Sequence, residues 1–272
     1  MKKWRMSLGG LLILCCVAFI SEPAFAVMVS PYSANSDVTI IWDTLTFSRT
    51  VSIYGPYQGS KSTAEVAENG GTVGTPQLQE LPGWGNTNAV IGFNSVNNNQ
   101  AFANGWTSAV GIGASTSASA MDGDAYSLAE AQHYGMFQVS GSGNLTVSVN
   151  YNLSYNTGLG GEYSLSEFGP MDGSVFAEAQ AWGRLYVWNG NDYQQVDLFN
   201  DFINTITLVD SNSASGVMSL TYNFSDLDYG YIQIGARSVS EAAAAPVPLP
   251  ASVWLFGPGL LGLLGFGRRS KK

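Results

Sequence analysis

The stretch Asn144-Leu145-Thr146-Val147-Ser148-Val149-Asn150-Tyr151-Asn152-Leu153-Ser154-Tyr155 alternates apolar and polar residues without a break. Leu145, Val147, Val149, Tyr151, Leu153 and Tyr155 fall on one side of an extended chain. Asn144, Thr146, Ser148, Asn150, Asn152 and Ser154 fall on the other. A period of two over this length is the mark of a long strand with one buried and one wet face. The turn residues Ser140-Gly141-Ser142-Gly143 precede it, and before them Met136-Phe137-Gln138-Val139 reads as another strand, so a hairpin is expected here.

A second long run, 175–188, has the same period. Val175, Ala177, Ala179, Ala181, Gly183, Leu185 and Val187 make a small apolar side suited to close sheet packing. Phe176, Glu178, Gln180, Trp182, Arg184, Tyr186 and Trp188 make a bulky amphipathic side. Ala and Glu would favour a helix over 175–181, but the flanking β patterns argue for a strand. Asn189-Gly190-Asn191-Asp192 ends it with turn chemistry. Further strands are expected at 38–47, 50–54, 110–120, 125–133, 206–209, 217–224 and 229–238. Residues 55–105, rich in Gly, Asn and Pro with a charged cluster at 61–68, read as long loops with short edge strands. The expected fold is all-β, an antiparallel β-sandwich of jelly-roll-like type. The phrase Ala-Glu-Ala-Gln occurs at 129–132 and at 177–180; it marks either corresponding strands or, the reading preferred here, chance or convergence on sheet packing.

Composition agrees. The chain has 272 residues with 32 glycines and only 11% charged residues, whereas about a quarter is usual. The 45% hydrophobic content is ample for a folded core and speaks against disorder.

The two ends read as delivery segments. Residues 1–26 have a positive start (Lys2, Lys3, Arg5), an apolar stretch, and Ala24 and Ala26 spaced for a signal peptidase, with cleavage expected after Ala26. Export through the Sec translocon follows. Cys15 and Cys16 lie inside this segment, so the body contains no cysteine and cannot form disulfides or use a thiol. Residues 241–246 read as an Ala/Pro linker after a body of 27–240. The tail, 247–272, holds an apolar span at 251–267, at the lower limit for crossing a bilayer as a single hydrophobic helix, and a basic end at 268–272 that would stay cytoplasmic.

The tail carries a resemblance. Val247-Pro248-Leu249-Pro250-Ala251, then Trp254-Leu255-Phe256-Gly257, a glycine-rich apolar span, and the cluster opening with Arg268 and Arg269 resemble the PEP-CTERM sorting signal in its VPLPA-CTERM variant. The resemblance covers only the C-terminal tail. It implies a Gram-negative source, transient inner-membrane anchoring, and an exosortase as processing partner. It further implies a destination on the cell surface or in an exopolysaccharide or biofilm matrix. It implies no activity for the body.

Residues 27–245, the body with most of its linker, keep Arg49, Lys61, Arg184 and Arg237 against every acidic residue except Glu22, and 4 − 19 gives −15. Such a charge repels phosphate backbones and excludes nucleic acid as a partner. His133 is the one histidine, so a zinc site cannot be assembled; a Ser-His-Asp triad would have to use it, but no Gly-x-Ser-x-Gly elbow accompanies it, and a structural role is expected. Glycoside cleavage needs only two carboxylates. Glu130, Glu162, Glu167 and Glu178 are available, but solvated surface positions are the plainer reading, and the body is read as non-enzymatic. Asp122, Asp124, Asp226 and Asp228 place oxygens on turns and are candidate Ca²⁺ ligands, although Asp is also a common turn former. Three Asn-x-Ser/Thr sequons at 144, 152 and 223 read as strand composition. Trp182, Tyr186 and Trp188 share one strand face with Gln180 and Arg184 between them. That is either a glycan-contacting surface or a second half of the core. Trp84 and Trp106, among Gly and Asn, are expected on loops. The expected role is structural or adhesive within extracellular polysaccharide; the alternatives are a carbohydrate-binding module and a polysaccharide-cleaving enzyme.

Overall fold

The computed structural model describes residues 32–95, 99–121, 123–159, 173–205 and 208–244. The expected signal peptide, the VPLPA-type tail with its apolar helix, and Asp122, Glu162 and Glu167 lie outside the described residues. Among the described residues no helix is long and apolar enough to cross a membrane.

In chain order the strands are β1 (Tyr32–Phe47), β2 (Val51–Ile53), β3 (Gly59–Glu68), β4 (Gly71–Thr72), β5 (Gln77–Pro82), β6 (Thr87–Asn94) and β7 (Gln100–Thr107), followed by β8 (Ile112–Ala120), β9 (Gly123–Val139), β10 (Gly143–Leu159), β11 (Ser174–Trp188), β12 (Tyr193–Thr205), β13 (Asp210–Phe224) and β14 (Tyr229–Ala244). A short 3-10 turn, Gly55–Tyr57, lies between β2 and β3. The strands form two antiparallel sheets. A six-stranded sheet runs β13-β10-β1-β8-β7-β6. An eight-stranded sheet runs β12-β11-β14-β9-β3-β4, with β2 on β9 and β5 on β3.

The period-2 runs explain the core. Leu145, Val147, Val149, Tyr151, Leu153 and Tyr155 of β10 are all buried, as are Val175, Ala177, Ala179, Ala181, Leu185 and Val187 of β11. The inward faces of both sheets contribute to one apolar cluster. At its centre the residues are small, and the sheets come close enough for side-chain hydroxyls to bridge them. Thr116 Oγ1 lies 2.7 Å from Ser238 Oγ and 2.8 Å from Ser240 Oγ. Ser238 Oγ donates to Ser36 Oγ at 2.8 Å, and Ser36 Oγ donates to the Glu178 carbonyl. A buried hydroxyl is costly unless partnered, and these are partnered across the interface.

The two Ala-Glu-Ala-Gln phrases lie on the two neighbours of one strand but two residues out of step, with Glu130 opposite Arg237 and Glu178 opposite Val239. They sit on β9 and β11, the strands flanking β14, and each turns two alanines into the core and one glutamate outward to Arg237.

Several expectations need correction. The hairpin between 136–139 and 145–155 does not form, because β9 pairs with β14 and β3 whereas β10 pairs with β13 and β1. The turn at 140–143 carries the chain from one sheet to the other. Phe137, Val139, Leu145 and Val147 all reach the shared core this way, and alternation alone cannot tell this crossover from a hairpin. The separate strands at 125–133 and 136–139 are one strand, β9. The segment 55–105 is not mainly loop: β3, β6 and β7 are strands of 10, 8 and 8 residues. Of the strand expected at 206–209, residues 206–207 lie outside the described residues and 208–209 are in no strand; β12 ends at Thr205, and β13 begins before 217. β14 continues through Ala244, so most of the expected 241–246 linker pairs in the sheet. The turn at Asn189–Asp192 joins β11 to β12 as a hairpin. Asn189 N donates to the Asp192 carbonyl at 3.1 Å, and Gly190 takes the positive φ of 99° that the turn requires.

Candidate functional site

The outward face of the eight-stranded sheet is where aromatic side chains gather. Cross-strand register sets Tyr186 of β11 beside Tyr231 of β14, and Tyr231 beside Met136 of β9. At the end of β11, Trp188 lies opposite Tyr193 of β12. The rings touch in a chain: Trp188 to Tyr193 at 5.2 Å, Tyr193 to Tyr231 at 5.7 Å, Tyr231 to Tyr186 at 5.8 Å and to Tyr134 at 6.3 Å between centroids. These are tilted contacts of the kind aromatic pairs prefer.

Two segments wall this cluster into an open groove of about 610 Å³. The 3-10 turn supplies Pro56 and Tyr57, followed by Gln58, and β5 supplies Glu80, Leu81 and Pro82. Tyr134 is the hinge between wall and floor. Its ring lies over Gly59 of β3, where a Cβ would come within 2.1 Å of the ring, so only glycine permits that placement. Its hydroxyl donates to Glu80 Oε1 at 2.5 Å. Burial, and then the hydrogen bond to Glu80 and that carboxylate's charge, push the Tyr134 phenol up to about 12. Burial likewise raises Tyr231 and Tyr193. The groove therefore presents flat rings and protonated hydroxyls, with amide and carboxylate acceptors from Gln58 and Glu80. That combination stacks on apolar ring faces and hydrogen-bonds to hydroxyl groups.

Of the three aromatics singled out on β11, Tyr186 lines this groove and Trp188, 39% exposed, stacks beside it on Tyr193. Trp182 points to the same side further along the strand, with its indole across Gly235. This face is not a second half of the core, because the cluster of buried residues draws on the opposite face of β11. Trp84 and Trp106 are not loop aromatics held in solvent. Trp84 packs edge-on against Trp42 at 5.0 Å and donates Nε1–H to the Tyr134 carbonyl at 2.9 Å. Trp106 belongs to β7 and lies over Gly113.

The Ca²⁺ candidates are not brought together. Asp226 Oδ1 accepts from Gly141 N at 2.5 Å and Asp228 Oδ2 from Ser225 N at 2.8 Å, so both carboxylates cap turns. Asp124 stands at the start of β9, whereas the Asp226–Asp228 turn is bonded to Val139 at its far end. Among the described residues no group of three or more His, Cys, Asp or Glu side chains could hold a metal ion. Glu130 and Glu178 share the Arg237 guanidinium, at 3.4 and 2.5 Å. His133 is fully buried between Ser60 and the Ser108 carbonyl.

Sequence reasoning missed Tyr134, Tyr231, Tyr193 and Glu80. Tyr229-Gly-Tyr231-Ile-Gln233 and Tyr134-Gly-Met136 do carry outward alternation in their own strands. What joins them is the register β12-β11-β14-β9 together with a wall from 56–58 and 80–82, which no local pattern contains. The chain matches no protein-family model and no curated protein.

Proposed function

We propose that this chain is an exported matrix or cell-surface protein whose body is a jelly-roll-like β-sandwich that holds polysaccharide in the tyrosine groove. The observation that carries this reading is the groove itself. Tyr134, Tyr186, Tyr193 and Tyr231 converge from four adjacent strands on an open cleft of about 610 Å³ edged by Gln58 and Glu80. Open aromatic clefts with a few placed polar groups suit a chain that enters and leaves at both ends. The two antiparallel sheets with one shared core support the sandwich description. The net charge of −15 over residues 27–245 favours a neutral polymer over an acidic one.

The ends supply the address. The resemblance of 247–272 to a VPLPA-type PEP-CTERM tail and the signal-like segment 1–26 support export by the Sec translocon and signal peptidase. Anchoring in the inner membrane and processing by an exosortase then follow, with release into the exopolysaccharide of a Gram-negative cell. Binding rather than cleavage is the reading we favour, because Glu130 and Glu178 lie outside the groove, where both pair with Arg237.

Titrating the mature protein with a soluble neutral β-glucan, read by intrinsic fluorescence and calorimetry, tests the groove. Saturable binding that Tyr231→Ala weakens at least about tenfold is expected. No saturable binding by the parent protein, or equal binding by the variant, would overturn it. The address is tested by the mass of the secreted protein, which should begin after Ala26 and lack Lys272.

A further inference from the structure

The tyrosine groove occupies only one end of the outward face of the eight-stranded sheet. Four residues back along β11 from Tyr186 stands Trp182, on the same side of the strand and about 13 Å away at strand spacing. Its position is unusually constrained. Its cross-strand partner on β14 is Gly235. A Cβ at Gly235 would sit 2.4 Å from Trp182 Cζ2 and 2.9 Å from the Ala131 carbonyl oxygen. The indole therefore lies down across the neighbouring strand, a placement that any side chain at 235 would prevent.

The Arg184 guanidinium lies over the Trp182 ring, its central carbon 5.2 Å from the centroid. Arg184 is exposed and, among the described residues, forms no ion pair. Its donors are free for hydroxyl or carbonyl oxygens. The groove and this pair are joined through Gln233, which is cross-strand from both Arg184 and Tyr134. Its amide donates to Tyr231 Oη and accepts from Tyr186 Oη, each at 3.4 Å. A continuous line of ring, amide and guanidinium thus runs along β11 from Trp188 to Trp182.

We propose that Trp182 and Arg184 form a second contact for the same ligand, and that the ligand is an internal stretch of a linear neutral polysaccharide laid along β11. This rests on the carbohydrate reading of the groove. A separation of about 13 Å exceeds one sugar ring, so a mono- or disaccharide held in the groove does not reach Trp182, whereas a longer chain does. The guanidinium, held over the indole, then hydrogen-bonds to ring hydroxyls, and the indole backs it as an apolar contact for the sugar.

The test is a length series of β-1,3- and β-1,4-linked gluco-oligosaccharides, from two to six sugars, titrated calorimetrically into the mature protein. For the parent, affinity should rise about tenfold or more from the disaccharide to the hexasaccharide. Trp182→Ala, and independently Arg184→Ala at an exposed site, should remove most of that rise and leave disaccharide affinity unchanged. Tyr231→Ala should weaken every length. A hexasaccharide bound equally by the parent and both β11 variants would overturn the second contact while leaving the groove reading intact. Absence of binding at every length would overturn the groove reading, and this inference with it.

Discussion

His133 Nδ1 lies 2.9 Å from Ser60 Oγ in the fully buried interior. On its other side His133 Nε2 is 3.1 Å from the Ser108 carbonyl oxygen, and Trp42 packs edge-on against the ring at 4.6 Å. Ser60 also bonds to the Gly83 carbonyl and accepts from Gly85 N, so the histidine anchors the segment that follows the groove wall on β5. Burial opposes the imidazolium and lowers its pKa to about 4, outweighing the Ser108 hydrogen bond that raises it.

The folded form thus resists a proton that the unfolded chain takes up near pH 6.5. The stability associated with neutral His133 is complete above that pH and is lost as pH falls towards about 4. The full effect is about 3 kcal/mol. Denaturation of the parent and His133→Asn at pH 7 and pH 4 isolates it from the carboxylates. The stability gap between them should narrow by about that amount at the lower pH. A gap independent of pH would show that His133 is not the group responsible.

The same residue shows what a sequence of this kind discloses. A lone histidine in a strand with alternating neighbours was legible as structural, and the long strands β10 and β11 were legible because their inward faces alternate without a break. β3 was hidden because its inward face is Ser60, Ser62, Ala64 and Val66, too small and too polar to register as apolar. β12 was hidden because its inward side mixes Phe199 and Ile203 with Asp197 and Asp201, whose carboxylates accept from Thr221 N of β13 and the Tyr151 hydroxyl of β10, so no apolar alternation shows. The groove was half legible. Tyr186 and Trp188 could be placed on one face, but Tyr134, Tyr193, Tyr231 and Glu80 join them only through pairing across five strands.

Tyr134 gives a prediction at the opposite end of the pH scale. Its phenol is pushed up to about 12 by burial and then by Glu80, against 10 for an ordinary tyrosine. A group whose protonated form is favoured by the fold contributes stability that is present below the unfolded value and lost as pH rises through the folded one. Unfolding should therefore become easier between pH 10 and about 12. Ultraviolet titration should show two late-ionising tyrosines, because burial and then Asp201 push Tyr151 up to about 12 as well, and Tyr134→Phe should remove one of them. Glu80→Gln should bring that one to lower pH without removing it. An unchanged titration in both variants would contradict the Tyr134–Glu80 pairing.

Gly105 of β7 limits how close the two sheets can come. A Cβ there would lie 2.4 Å from the Glu130 carbonyl oxygen and 2.7 Å from that of Thr63, both backbone atoms of the opposite sheet. Neither can swing aside, so Gly105→Ala must part β7 from β9 and β3. The expected cost is about 1–3 kcal/mol, seen as a lower thermal midpoint with far-ultraviolet dichroism still that of a β protein. Gly190→Ala serves as the contrast, since it has open space around it and meets only the penalty of its positive φ. Equal losses at both sites would mean the sheets have slack that the contacts deny.

Asp197 protects the margin that β12 and β13 form as the outer strands of their respective sheets. Its Oδ2 accepts from Thr221 N of β13 at 2.6 Å, and its Oδ1 from Leu198 N at 2.9 Å. Unpaired strand edges recruit other strands, and this margin also exposes Leu198, Phe202 and Val217. One carboxylate therefore occupies two edge amides and places a charge where a second chain would dock. Asp197→Ala frees both amides and removes the charge. Its cost to the monomer is modest, about 1–2 kcal/mol, but its self-association should rise steeply, with light scattering appearing at protein concentrations where the parent stays clear. Asp197→Asn keeps an acceptor without the charge and should fall between them. If all three proteins remain equally dispersed, the edge is guarded by its twist or by neighbouring loops and not by this side chain.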